Sequence, residues 1–407
     1  MRILIATSRR KMIGGVEKYI QSIIPGLLDR GHSIGLLYEH SLQAGDETID
    51  PAAARLPSWC IAEIGQDGCL RQLARWNPDL VYSHGLDDTT LETALLERHS
   101  TILYAHTYWG TCVSGRKCHV QPRPQPCARR LGPACLVLYY PRRCGGLNPN
   151  TMLRMYREQS KRNSNLRSYQ AVLVASRHMY QEFEQHGVDQ NRLQLVPLPT
   201  SDLAGTRPPP AKVPQGRICF LGRLMDVKGV SYLLQAMRPA AEKLGRRLQV
   251  TIAGDGPDRA NLQELAERLG VDAEFTGWVS TQQRLNLLAR ADLLAVPSLW
   301  PEPFGLVGIE AGCVGVPAVG YAVGGIPDWL VPGVSGELAP GNPPTVTGLA
   351  EAMVRALTDP EHYGKLARGA WEMARGYSLA HHMALLEPIL SARHPADSPA
   401  PIVSSVN

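Results

Sequence analysis

No apolar run in this 407-residue chain approaches the ~20 residues that a bilayer-spanning helix needs. The apolar stretch near the start, Ile3 to Ala6, is too short for a secretory signal, and Arg9, Arg10 and Lys11 lie on the wrong side of it. A cytoplasmic location is the expectation. Three motifs are also missing. Without G-x-G-x-x-G after the first strand, a nicotinamide dinucleotide site is not expected. Without Asp-x-Asp, nothing suggests catalytic Mg²⁺ or Mn²⁺. Without Cys-x2-Cys pairs, the nine cysteines lack the spacing that marks a zinc site strongly. There is no internal repeat beyond the similar pattern of the two halves.

What is present is enough for two domains, since 407 residues exceed one ordinary core and 44% of them are apolar. Arg2 to Ala6 reads as a strand. Val16, Tyr19, Ile20, Ile23, Ile24, Leu27 and Leu28 follow with the spacing of a one-faced helix that Gly31 can end, and His32 to Tyr38 reads as the next strand. Strand, helix, strand predicts a doubly wound parallel sheet. After the proline-rich stretch Arg207 to Ala211 the alternation resumes with Arg217 to Leu221, a helix buried through Val230, Leu233, Leu234, Met237 and Ala241, and strands at Leu248 to Ala253 and Leu293 to Val296. The expected division is a first domain over 1–205 and a second over 206–375. A final helix follows over 376–394, and then a disordered Pro- and Ser-rich tail over 395–407.

Charge is unevenly distributed. Thr111 to Ser168 holds twelve basic residues against the single acid Glu158, a net +11 that leaves −6 for the rest of a chain whose total is +5. That concentration suggests either an anionic partner, such as a membrane surface, or a solvated basic face. No nucleic-acid partner is expected.

The most informative block is Pro301-Glu302-Pro303-Phe304-Gly305-Leu306-Val307-Gly308-Ile309-Glu310, followed by Val323-Gly324-Gly325-Ile326-Pro327. Gly305 lets backbone approach a ligand, and Leu306 to Gly312 reads as a helix whose first amides and dipole favour an anion. A loop carboxylate, Glu302, and a helix carboxylate, Glu310, beside one anion site suit a ligand with hydroxyls and phosphate, namely a nucleotide sugar. Arg223 and Lys228, in a loop after a strand, form a guanidinium and ammonium pair suited to a diphosphate, or else are two surface cations.

This block resembles the E-x7-E signature of retaining GT-B glycosyltransferases of family four. Gly14-Gly15-Val16-Glu17, Tyr82-Ser83-His84-Gly85, Ala105-His106-Thr107, Gly222 to Gly229, Ala253 to Pro257 and Phe275 to Val279 match the family in the same order, from about Arg2 to Gly336. The resemblance implies two Rossmann-like domains facing a cleft, the first for the acceptor and the second for a nucleotide-diphosphate sugar, with the final helix crossing back to the first domain. It implies that Arg223 and Lys228 bind the diphosphate and that Glu310 binds the ribose. Glu302 would meet the transferred sugar, helped by the amides of Phe304, Gly305 and Leu306. His106 would contact that sugar near the reaction centre, with His84 supporting it or purely structural. Trp278 and Val279 would border the base, or fill core. Gly14 and Gly15 would let diphosphate or acceptor approach, or form an ordinary loop. Asp328 stands where the family often has Glu. The implied route leaves the anomeric configuration unchanged, with a phosphate oxygen taking the acceptor proton, no enzymic nucleophile and no cofactor.

Cys112, Cys118, Cys127, Cys135 and Cys144, with His119 among them, fall in the basic insert at about 107–167. Their clustering is consistent with a structural zinc or iron–sulfur centre, with unligated thiols, or with disulfides. The overall expectation is transfer to a saccharide or lipid-linked acceptor in surface polysaccharide or lipopolysaccharide synthesis. The alternatives are a GT-B sugar-nucleotide epimerase, a non-catalytic nucleotide-sugar or metal binder and, less readily, a glycosidase using the paired carboxylates.

Overall fold

The structure is a computed structural model that describes residues 1–49, 56–200, 208, 210 and 212–392. The expected tail at 395–407 and most of the boundary stretch at 200–212 lie outside these residues.

The first sheet contains β1 (Arg2–Thr7), β2 (Ser33–Tyr38), β3 (Ser58–Cys60), β4 (Leu80–Ser83) and β5 (Thr101–Ala105). A short antiparallel pair, β6 (Cys118–His119) and β7 (Gln125–Pro126), interrupts it before β8 (Ala171–Val174) and β9 (Leu193–Leu195) complete it. Its order is β3-β2-β1-β4-β5-β8-β9, parallel throughout. Strand β1 shows why helices cover both faces. Ile3 and Ile5 enter a core with Tyr19, Ile20, Ile23, Ile24 and Leu27 of the helix Gly15–Asp29. Leu4 and Ala6 enter a separate core with Leu73, Leu91 and Leu95. Alternate residues bury on opposite faces, so the strand must be apolar without interruption.

The second sheet contains β10 (Arg217–Leu221), β11 (Gln249–Ala253), β12 (Asp272–Gly277), β13 (Leu293–Val296), β14 (Ala318–Tyr321) and β15 (Gly336–Ala339). Its order is β12-β11-β10-β13-β14-β15, again parallel. The helix Val230–Leu244 buries Val230, Leu233, Leu234 and Met237 as its spacing requires, with Ala240 rather than Ala241 completing the fully buried stripe.

The last helix, Leu379–Ser391, packs on the helix Gly15–Asp29, where Gly26 leaves room for Met383. His32 Nε2 lies 3.0 Å from Glu387, and His382 Nδ1 donates to the Pro197 carbonyl at 2.8 Å. These contacts tie the end of the chain to the first sheet.

The basic insert is not simply a solvated face. Lys117 is buried and pairs with Glu182 at 2.5 Å, and Arg162 is buried and pairs with Glu92 at 2.8 Å. Both acids lie outside the segment and offset part of its charge. Arg123, Arg129, Arg130, Arg143, Arg154, Arg157, Lys161 and Arg167 remain exposed.

Candidate active site

Both sheets present the carboxyl ends of their strands to one cleft, the position that open α/β sheets use for ligands. From the second domain come the loop after β10, which carries Arg223 and Lys228, and the loop after β13, which carries Ser298, Trp300 and Glu302. Gly229 has φ +68°, and a Cβ there would lie 1.9 Å from the Pro297 carbonyl oxygen, so only glycine lets these two loops pack together. Lys228 Nζ consequently donates to Glu302 Oε1 at 2.6 Å, and Ser298 Oγ donates to the same oxygen at 2.5 Å. Burial pushes the Glu302 carboxyl up, but the Lys228 charge and the hydrogen bonds from Lys228 and Ser298 outweigh it and hold the group below its ordinary range. Lys228 also lies over the Trp300 ring at 5.5 Å.

The helix Leu306–Cys313 begins at Gly305, φ +90°, with no side chain capping its first amides. Trp329 Nε1 donates to the Phe304 carbonyl at 2.7 Å and anchors the turn. Gly324 and Gly325 fold onto the Glu302 loop, where Gly325 N donates to the Glu302 carbonyl at 2.7 Å. The terminus thus leaves its first amides without a side-chain cap, with Glu302 before it and Glu310 on its second turn. Glu310 is buried and pairs with Arg284 at 3.1 Å. Its carboxyl is raised by burial, against the pull of Arg284 and of Lys18. Lys18 stands on the first domain's helix and faces Glu310 across the cleft.

From the first domain, His106 follows β5. Its Nε2 lies 3.1 Å from His84 Nδ1, and its ring stacks on Tyr104 at 4.7 Å and 29°. Burial, and then the nearby His382, lower His106 to about 3, so it is a neutral imidazole at pH 7. His382 donates from Nδ1, so its Nε2 accepts the Tyr19 hydroxyl at 2.9 Å, and Tyr82 closes the chain onto Tyr19 at 2.7 Å. Two residues after His106, Tyr108 meets Trp300 edge-on at 6.3 Å, which brings this strand end opposite Glu302. Behind His106 a cavity of about 220 Å³ is lined by Thr7, Ser8, Glu17, Gly85, Trp109 and Arg162, among others.

The sequence-derived residues are distributed as follows. Lys228, Glu302, Phe304, Gly305, Leu306 and Glu310 surround one helix terminus. Arg223 is exposed on the Lys228 loop and makes no hydrogen bond or ion pair among the described residues. Gly14 and Gly15 open the helix Gly15–Asp29, and the Gly14 amide is already taken by Glu17 at 2.8 Å. Trp278 is 69% exposed beyond β12, while Val279 is half-buried against the core. Asp328 accepts from the Arg177 amide at 2.7 Å, so it joins the two domains instead of facing the helix terminus. Lys18, Tyr19, Arg284, Ser298, Trp300 and His382 had no motif to announce them. For Lys18 the one available signal was its place three residues after Gly15.

The five insert cysteines and His119 do line one cavity, of about 40 Å³. Among the described residues no three His, Cys, Asp or Glu side chains are disposed to hold a metal ion, and none of the nine cysteines is joined in a disulfide. Burial raises Cys118 to about 12 and Cys144 to about 11, which keeps them protonated. Among the described residues these side chains do not form a metal-ligand set. The disulfide alternative has no bonded pair to support it.

Comparison with known proteins agrees with this fold. The family model "Glycosyltransferase Family 4" matches residues 13–201, and "Glycosyl transferases group 1" matches 207–373. Two glycosyltransferase family models thus match successive parts of the chain, which has the GT-B fold. The D-inositol 3-phosphate glycosyltransferase of Saccharomonospora viridis is 36% identical over 172 residues, covering 40% of this chain and 39% of that protein. The chain thus matches about two-fifths of the length of such a curated relative. Among solved structures, Anabaena HepE in complex with UDP and glucose superposes with a TM-score of 0.68 at 19% identity, covering 96% of this chain and 99% of that one. Sucrose-phosphate synthase from Thermosynechococcus elongatus gives 0.68 at 18%, covering 95% and 97%. Among the described residues no helix is long and apolar enough to cross a membrane.

Proposed function

We propose that the protein is a retaining glycosyltransferase that moves a sugar from a nucleotide-diphosphate sugar to a saccharide or lipid-linked acceptor. The observation that carries this reading is the convergence of the Lys228–Glu302 pair and Glu310 on the uncapped terminus of the helix Leu306–Cys313, opposite His106. Departure of the diphosphate builds negative charge on its oxygens. Lys228, the exposed and unpaired Arg223, and the helix amides supply preorganised positive charge there. Glu302 stays ionised at neutral pH and accepts hydrogen bonds from sugar hydroxyls. Neutral His106 contributes a hydrogen bond without placing a cation beside the oxocarbenium-like sugar. A phosphate oxygen takes the acceptor proton, so no enzymic nucleophile and no cofactor is required. HepE, which shares the fold, was solved in complex with UDP and glucose, and that supports a nucleotide-sugar donor here.

The cavity behind His106 is the acceptor side. The insert beside it exposes Val137 by 75% and Leu147 by 74%, close in sequence to exposed arginines. Apolar tips flanked by cations suit an anionic membrane surface, and hence a lipid-linked acceptor. Work at the inner membrane face in surface polysaccharide or lipopolysaccharide synthesis follows from that reading. Screening UDP-, GDP- and ADP-sugars with purified protein tests the function. Donor-dependent transfer with retained anomeric configuration is the expected result. Isomerisation of the donor without acceptor, or a trapped glycosyl–Glu302 adduct in mass spectra, would refute it.

A further inference from the structure

Three consecutive cations, Arg9, Arg10 and Lys11, follow β1 and take no part in the site described above. With His40, from the loop after β2, they line a cavity of about 230 Å³ whose one acidic side chain is Asp46. Lys11 is answered by Asp46 at 2.7 Å. The two arginines are not. Arg10 donates from Nε to the Ile49 carbonyl at 3.3 Å and lies over the Tyr38 ring at 5.9 Å, contacts that orient its guanidinium without neutralising it. Arg9 is exposed and makes no hydrogen bond or ion pair among the described residues. Two like charges facing one hollow repel each other, and a bound anion would turn that repulsion into attraction. The walls are held by backbone. The carbonyls of Ser8, Arg10 and Glu47 accept from the amides of Glu39, Ile49 and Met12 at 3.1, 2.9 and 2.8 Å, which stitches the loop after β1 to the loop after β2. Ser8 lines the cavity behind His106, and the next residue, Arg9, lines this one, so the two hollows share one short loop at the carboxyl edge of the first sheet.

We propose that this basic cavity is a phosphoryl-binding site, and that it receives a phosphate or diphosphate of the acceptor while the attached saccharide occupies the cavity behind His106. The second half of that statement rests on the reading of the His106 cavity as the acceptor side. The donor set selects a phosphoryl group over a carboxylate. Arg9 and Arg10 each present a planar fork of N–H donors, and a tetrahedral phosphoryl group carries enough oxygens to answer both forks at once. A carboxylate has two coplanar oxygens, which a single fork already fills. Asp46 does not oppose the anion, because Lys11 holds it. A soluble sugar phosphate and a polyprenyl-linked phosphate share the chemistry that this site would recognise.

Calorimetric titration of the full chain with inorganic pyrophosphate tests the site, after whichever of UDP, GDP and ADP binds has been added to saturation so that the donor terminus is filled. The unchanged protein is expected to bind one further equivalent of pyrophosphate. R9Q/R10Q should bind it about 10-fold or more weakly, the span that lost charge-assisted hydrogen bonds produce, and acetate at matched ionic strength should not compete. R9Q changes only an exposed side chain and should lose about 3-fold or more, which decides the matter if the double variant does not fold. Cosedimentation with phosphatidylcholine vesicles carrying a polyprenyl phosphate separates the sources. Vesicle binding that R9Q/R10Q loses supports the site with a lipid carrier, and pyrophosphate binding without vesicle binding supports it with a soluble phosphorylated acceptor. With the donor that the nucleotide-sugar screen identifies, R9Q/R10Q should raise KM for a phosphorylated acceptor about 10-fold at unchanged kcat, and an unaltered KM overturns the acceptor assignment. Full pyrophosphate affinity in R9Q/R10Q, or equal competition by acetate, overturns the phosphoryl site and leaves the donor reading standing. If no nucleotide binds, the donor reading falls, while the same titration without nucleotide still decides this site through its contrast with R9Q/R10Q.

Discussion

Replacing Lys228 with methionine tests the site most directly, because the size of its effect can be bounded. The substitution removes the cation 2.6 Å from Glu302, a carboxylate only 8% exposed at its side chain. Breaking a buried pair typically destabilises by about 3–5 kcal/mol. The upper end is out of reach here, because Glu302 can escape by taking up a proton. With an ordinary value of 4.5, that escape limits the loss to about 3 kcal/mol at pH 7. The sign follows from linkage. In the unchanged protein Glu302 is depressed, so its contribution is present above pH 4.5 and is lost as pH falls through the folded value. In K228M the carboxyl is raised by its burial, and the variant recovers relative to the unchanged protein by about 1.4 kcal/mol per unit of pH lost. Urea unfolding of both proteins at pH 7 and 5.5 measures this, and turnover of the donor should drop by about 100-fold or more. A stability difference that does not change with pH, or near-normal kinetics, refutes the reasoning.

Other consequences follow from the same geometry. In G308A the new Cβ would fall 2.1 Å from the Trp329 ring, which anchors Phe304. Overpacking of about 1–3 kcal/mol should exceed the roughly 1 kcal/mol gained from helix propensity, and nucleotide affinity should fall. Thermal and urea unfolding would refute this if the variant proved more stable. His382, lowered to about 4 chiefly by burial, stabilises fully above pH 6.5 and progressively less below it. H382N should therefore flatten the loss of stability between pH 7.5 and 5.5 by about 1.3 kcal/mol, and an unchanged slope would contradict it. Reversing Arg123, Arg130, Arg143 and Arg157 to Glu should weaken binding to anionic vesicles by about 10-fold or more, at roughly 1 kcal/mol per cation before screening. Cosedimentation with vesicles would sink the membrane reading if the unchanged protein stayed in solution.

Several parts of the molecule were legible because the signal lies in a short stretch of chain. The unbroken apolar strand Arg2–Thr7, the helix face from Tyr19 to Leu27 and the turn from Glu302 to Gly305 each encode their own conformation, and each formed close to the expected bounds. Arg284 was not legible. It belongs to no motif, and only the tertiary structure sets it against Glu310. His382 was hidden for a similar reason, since its role depends on a helix returning across 363 residues to Tyr19.

The sequence alone determined two parallel, doubly wound sheets and a glycine-rich turn carrying paired carboxylates, because periodicity and backbone freedom act between neighbours in the chain. Only the tertiary structure decided which charges meet. Asp328 went to the Arg177 amide across the domains, Lys117 and Arg162 were withdrawn from the basic surface, and the cysteines lined a cavity without forming a ligand set. Charges and thiols act through distance in space, which spacing along the chain does not specify.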